Sequence, residues 1–232
     1  MNTLLRGVVR SVAETFDLPQ PIIEIGSYQV EGQQDIIDLR SFFPGKEYLG
    51  MDFRTGPGVN ITANVEQLPL ADNSVGTIIA ISTFEHVRHF WKGFAEVHRV
   101  LKPGGAFLLS TPFYFYIHNY PGDFWRFTPQ AFDILLEDYP QRINGWHGTS
   151  KRPENVWSLA FKAGGPKVTA EQFERYKALL GQHAHQRLRP WRVARYKLAS
   201  MLVGRAPFSN YLDQGHWETE LHAPAIATTP RP

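Results

Sequence analysis

Apolar residues cluster in short runs at 21–26, 47–51, 77–81 and 106–110, rich in Ile, Leu and Val and separated by helix-length segments. Runs that are apolar throughout, rather than alternating with polar residues, mark strands covered on both faces. The helix-length spacers make them repeated β-α units of a parallel sheet. Ahead of the first run, Leu5, Val8, Val9, Val12 and Phe16 recur at helical spacing and predict an amphipathic helix. Arg6 and Arg10 interrupt that segment, so it does not read as the apolar stretch of a secretion signal.

Further along, Thr128-Pro129 opens a helix through Phe132, Leu135 and Leu136, with proline at its first position. Strand candidates follow near 141–146 and 155–161. Gly164, Gly165 and Pro166 then punctuate the chain and suggest a division into a domain over 1–165 and a basic helical extension over 166–232. In the extension, helical patterning over 169–186 is broken by Pro190 and resumes over 190–203. Beyond Arg205, turn residues and scattered charges predict irregular structure.

The strand ends carry the chemistry, because ligands of parallel sheets sit beyond the carboxyl ends of the strands. One strand ends in Glu24-Ile25-Gly26, the next in Asp52, and the segment from Leu101 to Gly105 reads Leu-Lys-Pro-Gly-Gly. The segments PIIEIGS, EYLGMDF, NVEQLPLADNSVGTIIAISTFEHV and RVLKPGGAFLLSTP, in that order, resemble the successive motifs of class I S-adenosyl-L-methionine (SAM) dependent methyltransferases over about residues 20–165. HNYPGDFWRFTP, residues 118–129, is similar to a motif in a subset of these enzymes linked to glycan and surface-polysaccharide pathways. The resemblance implies an α/β, Rossmann-like fold: a mostly parallel seven-stranded sheet with helices on both faces and an antiparallel hairpin at its edge. The core would close near Ala163, with the helical extension beyond it. It also implies SAM as methyl donor, S-adenosyl-L-homocysteine (SAH) as product, and a sugar hydroxyl of a glycan or glycolipid precursor as acceptor.

On that resemblance the cofactor residues are Glu24, Gly26, Ser27, Met51, Asp52, Phe53, Asn64, Val65 and Ser82. A carboxylate at Asp52 suits both ribose hydroxyls through charge-assisted hydrogen bonds. Met51 and Phe53 would flank the adenine, Asn64 stands where the family usually has an acidic residue for the adenine amino group, and Val65 would offer its backbone N–H. The family's second glycine, two residues after Gly26, is missing, and Gly32 is a substitute at the start of a helix through Ile36, Ile37 and Leu39. The gap disfavours a pyrophosphate, which needs several close backbone approaches, and so a nicotinamide dinucleotide.

At the transfer site a neutral alcohol must lose a proton, and a histidine suits that role. His118 is the leading base, with Asp123 to orient it or bind a hydroxyl and His86 as the second candidate. Tyr114, Tyr116 and Trp125 would form a platform for a sugar face or the sulfonium, and Arg126 would hold a carboxylate or phosphate. The competing reading pairs Asp123 with Arg126 to pin the loop. His86 and His89 form an H-x-x-H pair without an evident third ligand, so no metal site is expected.

At 232 residues and 43% hydrophobic, the chain suits one α/β domain with an appendage. No cysteine is present, which rules out disulfides, a thiol nucleophile and thiolate metal sites. A formal charge of +2 gives no footprint for nucleic acid. The apolar runs fall short of a membrane span, so a cytoplasmic protein is expected. From Arg175 to Arg205 there are eight Lys or Arg and no acidic residue, which reads either as peripheral contact with an anionic membrane or as a helix packed on the core with a solvated basic face. A small-molecule or quinone-like acceptor and a catalytically silent SAM-binding module remain alternatives.

Overall fold

Ile22–Ile25 form β1, buried from end to end as a central strand must be. The computed structural model describes residues 2–32, 34–118, 122–149, 151–184, 190–204 and 216–223. β1 pairs in parallel with β2 (Tyr48–Asp52) on one side and β4 (Val75–Ile81) on the other. β3 (Ile61–Thr62) extends the sheet beyond β2, and β5 (Leu101–Pro112) lies parallel to β4. β6 (Gln141–Thr149) and β7 (Arg152–Phe161) form the expected antiparallel hairpin, with β7 against β5. The strand order is β3-β2-β1-β4-β5-β7-β6-β8, where β8 is Trp217–His222.

Alternation along the inner strands divides the core between the two faces of the sheet. Ile78, Phe107, Leu109 and Val156 face one apolar cluster with Phe94 and Val97 of α3 (Phe90–Val100) and Phe132 of α4 (Pro129–Leu135). Their neighbours Ile79, Leu108, Trp157 and Leu159 face the other cluster, with Leu4, Leu5, Val8, Val9 and Val12 of α1 (Thr3–Thr15) and Tyr176 and Leu180 of α5 (Ala170–His183). The helix starts are chemically marked. Asn2 Oδ1 accepts from Leu5 N at 2.9 Å, Thr128 caps α4, and Thr169 and Gln172 form a capping box on α5. α1 and α5 touch at Gly7, where a Cβ would lie 2.2 Å from the backbone oxygen of His183.

Several expectations are corrected here. The boundary at Gly165 is no packing boundary: Tyr176 and Leu180 are fully buried, and burying such a side chain contributes about 1.5–3 kcal/mol. The sheet has eight strands rather than seven, because β8 adds antiparallel to β6. Thus part of the segment beyond Arg205 is regular. α5 ends at His183 rather than near 186. The helix expected after Gly32 is only one turn, α2 (Gln34–Ile37), followed by a 3₁₀ turn at Arg40–Phe42. The second tail helix, α6 (Pro190–Val203), buries none of its residues. Val193, Tyr196 and Ala199 are half-buried along one side, while Leu198, Met201, Leu202 and Val203 stand exposed. Among the described residues no helix is long and apolar enough to cross a membrane.

Candidate active site

The carboxyl ends of β1, β2, β4 and β5 open onto a cleft of about 860 Å³. Strand order reverses between β1 and β4, the place where open α/β sheets bind ligands. Glu24, Gly26, Asp52, Phe53, Asn64, Val65 and Ser82 all line it. Gly26 has φ +82°, and a Cβ there would lie 2.4 Å from Thr83 Oγ1, so only glycine fits this turn. Ser27 and Met51 do not line the cleft, correcting that part of the cofactor set. Ser27 is buried with its hydroxyl donating to Gly58 O at 3.2 Å, and Met51 points into the core cluster. At Gly32, with φ +77°, a Cβ would meet no atom of the described residues within 4 Å.

Asp52 is buried and already engaged. Its carboxylate accepts from Tyr28 N at 3.3 Å, Arg54 N at 3.0 Å and Arg54 Nε at 3.1 Å. The Arg54 guanidinium stacks 4.2 Å from the centre of the Tyr28 ring and 5.2 Å from that of Phe53. Asn64 turns its own loop, with Oδ1 accepting from Glu66 N at 2.9 Å. Tyr28, Arg54 and Thr83 are cleft residues that the sequence did not single out. Only their position two or three residues past a strand end signalled them.

Glu24 is the second buried acid of the cofactor end. Burial raises its carboxyl to about 7, against the hydrogen bond it accepts from Tyr48 Oη at 2.7 Å. In the unfolded chain its pKa returns to near 4.5. The folded state therefore binds more protons between those values, and this group's contribution to stability is complete below about pH 4.5 and is lost as pH rises to about 7. Glu24→Gln should flatten the fall in unfolding free energy between pH 5 and pH 8 by up to about 3 kcal/mol. Urea titrations of both proteins at the two pH values check this; an unchanged slope would show that Glu24 ionises freely.

The acceptor end is built by the 3₁₀ turn Phe84–His86 after β4 and by the segment after β5. Glu85, His86 and His118 line the same corner, with Phe115, Tyr116, Phe124, Glu154 and Asn155 around it. The His86 and His118 rings meet edge to face, 4.9 Å between centres. Burial raises Glu85 to about 8 and Glu154 to about 7, and burial also lowers His86 from its ordinary value.

Asp123 and Arg126 take the competing arrangement, paired with each other, and Arg126 is not left to hold an acceptor anion. Both Arg126 amino groups bond the Asp123 carboxylate, the second at 2.7 Å, and this holds the Asp123 carboxyl well below the usual range. Asp123 Oδ2 also accepts from His118 N at 2.9 Å and lies 2.9 Å from His118 Nδ1. Neither Asp123 nor Arg126 lines the cleft; the pair pins the loop and orients His118. Trp125 instead donates through Nε1 to Val87 O at 3.0 Å and packs 5.0 Å from Phe90, while Tyr114 stacks with Arg152. Of the four residues proposed for the acceptor, Tyr116 alone reaches the cleft wall. His89 bonds Glu66 through Nδ1 at 2.8 Å and is separate from the His86 corner. Asn119 to Pro121 of the aromatic motif lie outside the described residues.

Known proteins share this plan. Residues 45–109 match the family model described as a methyltransferase domain. A probable S-adenosylmethionine-dependent methyltransferase of Mycolicibacterium smegmatis is 29% identical over 101 residues, covering 39% of this chain and 37% of the relative. An uncharacterized methyltransferase of Mycobacterium bovis is 41% identical over 61 residues, 26% of this chain and 24% of the relative. The chain thus spans well under half the length of these relatives. Among solved structures, a SAM dependent methyltransferase from Archaeoglobus fulgidus superposes with a TM-score of 0.54 at 12% identity, over 68% of this chain and 93% of that one. The 1,6-didemethyltoxoflavin-N1-methyltransferase of Burkholderia thailandensis, solved with 1,6-didemethyltoxoflavin and S-adenosylhomocysteine, gives 0.52 at 12% identity, over 69% and 78%. The fold is the Rossmann-like class I methyltransferase fold, here carrying an eighth strand.

Proposed function

We propose that this chain is a SAM-dependent methyltransferase that O-methylates a sugar hydroxyl of a glycan or glycolipid precursor. The observation that carries the reading is the convergence of the Gly26 turn, Asp52 and the Asn64-Val65 segment on one cleft where the strand order reverses. A single close-approach glycine opposes a pyrophosphate, which needs several. Gly26 and Glu24 would hold the methionine part, Asp52 the ribose, and Phe53, Asn64 and Val65 the adenine. When bound, SAM supplies an electrophilic methyl group. The chain's own residues align the acceptor and exclude water, tasks for which proximity alone can supply about 7–11 kcal/mol. The aromatic wall of Phe115, Tyr116 and Phe124 suits the apolar face of a sugar ring, and His118, with His86 as the second candidate, would take up its hydroxyl proton.

Methyl-labelled SAM incubated with the full chain and a cell extract tests the acceptor. Label in the glycan fraction, stable to mild base as an ether must be, is expected. Label confined to low-molecular-weight or quinone fractions would transfer the reading to those acceptors.

A lipid-linked acceptor would require work at a membrane surface, and α6 supports that reading. Leu198, Met201, Leu202 and Val203 stand exposed beside Arg192, Arg195 and Lys197. The chain should float with anionic vesicles at low salt and be released as salt rises, since such attraction is screened over about 8 Å at physiological ionic strength. Leu198→Ser with Leu202→Ser and Arg195→Glu should abolish flotation. A wild-type chain that stays in the pellet fraction at low salt would overturn the membrane contact.

A further inference from the structure

We infer that Glu85, His86 and His118 form a binding site for a divalent transition-metal ion at the acceptor end of the cleft. Each residue offers one donor atom, and the three donors lie within 4.8 Å of one another. Bonds of about 2.0–2.2 Å set the ligands of one ion roughly 3–3.5 Å apart, so closing on an ion requires shifts of about 1 Å. Two imidazoles and one carboxylate, with further positions open to the cleft, are a donor set suited to ions from manganese to zinc.

The surroundings prepare these residues for that task. Glu85 is fully buried, yet among the described residues no hydrogen bond from another residue reaches either oxygen of its carboxyl group. A buried polar group without a partner is costly, and a bound cation would supply one. Its backbone is fixed, because Glu85 O accepts from Phe124 N at 2.8 Å and from Trp125 N at 3.3 Å. Both histidines are held through Nδ1. His86 Nδ1 bonds Gly122 O, and its Nε2 lies 3.7 Å from Glu85 Oε1. His118 Nδ1 lies against the Asp123 carboxylate, itself clamped by Arg126. Outer contacts of this kind, one to a backbone carbonyl and one to a carboxylate, set the tautomer and aim the ring of a metal-ligating histidine. They give the aromatic loop's Asp123-Arg126 pair a purpose beyond pinning the chain.

Metal binding at this corner stands independently of the methyl-transfer reading; its use in catalysis rests on that reading. With both histidines holding an ion neither would serve as the base, and a hydroxyl coordinated there would instead release its proton to water before attacking the methyl carbon.

The test uses the full chain, treated with chelator and titrated with Co²⁺ alone by visible absorption, then with Zn²⁺ by calorimetry. Saturable one-to-one binding is expected, weakened at least tenfold in Glu85→Gln and in His118→Asn, and unchanged in His89→Asn. Circular dichroism establishes that each variant is folded. A wild-type chain without saturable binding, or binding undiminished in either ligand variant, would overturn the site. SAH titrated into the same metal-free samples separates the two ideas, since the cofactor end does not include these three residues.

Discussion

Trp157→Ala is expected to cost the folded chain about 3–5 kcal/mol, the range for removing a large aromatic side chain from a close-packed core. Trp157 is fully buried on β7, and its indole N–H donates to Tyr176 Oη at 3.0 Å, which ties the sheet to α5. Truncation leaves a cavity between α1, α5 and the sheet and strands the buried Tyr176 hydroxyl without its donor. Urea denaturation followed by far-ultraviolet circular dichroism reads the effect directly. Leu180→Ala, on the facing side of α5, should cost about 2–5 kcal/mol in the same experiment. A loss well under 1 kcal/mol in both would mean that α5 is an appendage, as the glycine-rich boundary near 165 suggested.

Asp52→Ala should weaken binding of SAM and SAH at least tenfold, about 1.4 kcal/mol. Each charge-assisted hydrogen bond to a ribose hydroxyl is worth about 1.5–3 kcal/mol, so loss of both leaves a margin above that floor. The substitution also removes the carboxylate that balances the Arg54 charge, which Asp52 now holds at 3.1 Å. The uncompensated positive charge beside the cleft acts in the same direction against a cationic cofactor. Arg54→Ala in the same background separates the two contributions: restored affinity would assign the loss to Arg54. Undiminished binding in Asp52→Ala would remove Asp52 from the site.

The sheet was legible because its order is written locally. Continuous apolar runs are dictated by burial on both faces, and Glu24, Gly26 and Asp52 follow from where those runs stop. The missed elements depend on contacts between distant residues. Trp217–His222 alternates charged and apolar positions and becomes a strand only by pairing with β6, with Glu218, Glu220 and His222 guarding the free edge. Gly164 and Gly165 look like a domain break, but Gly165 packs on Gly104, where a Cβ would lie 2.7 Å from the other Cα. In the aromatic loop, composition pointed to function while side-chain direction decided it. Trp125 and Tyr114 turn away from the cleft, and Phe115 and Phe124 turn toward it. The meeting of Glu85, His86 and His118 joins residues more than thirty positions apart in the chain, beyond the reach of any spacing rule.

The central claim is that the cleft at the ends of β1 and β2 is a SAM site, and calorimetric titration of the full chain with SAH tests it most directly. SAH keeps the nucleoside and amino-acid contacts but cannot react, so the heats report binding alone. One-to-one saturable binding, competed by SAM and unaffected by NADH or NADPH, is the expected result. A folded chain that binds neither SAH nor SAM, or from which a nicotinamide dinucleotide displaces SAH, would contradict it.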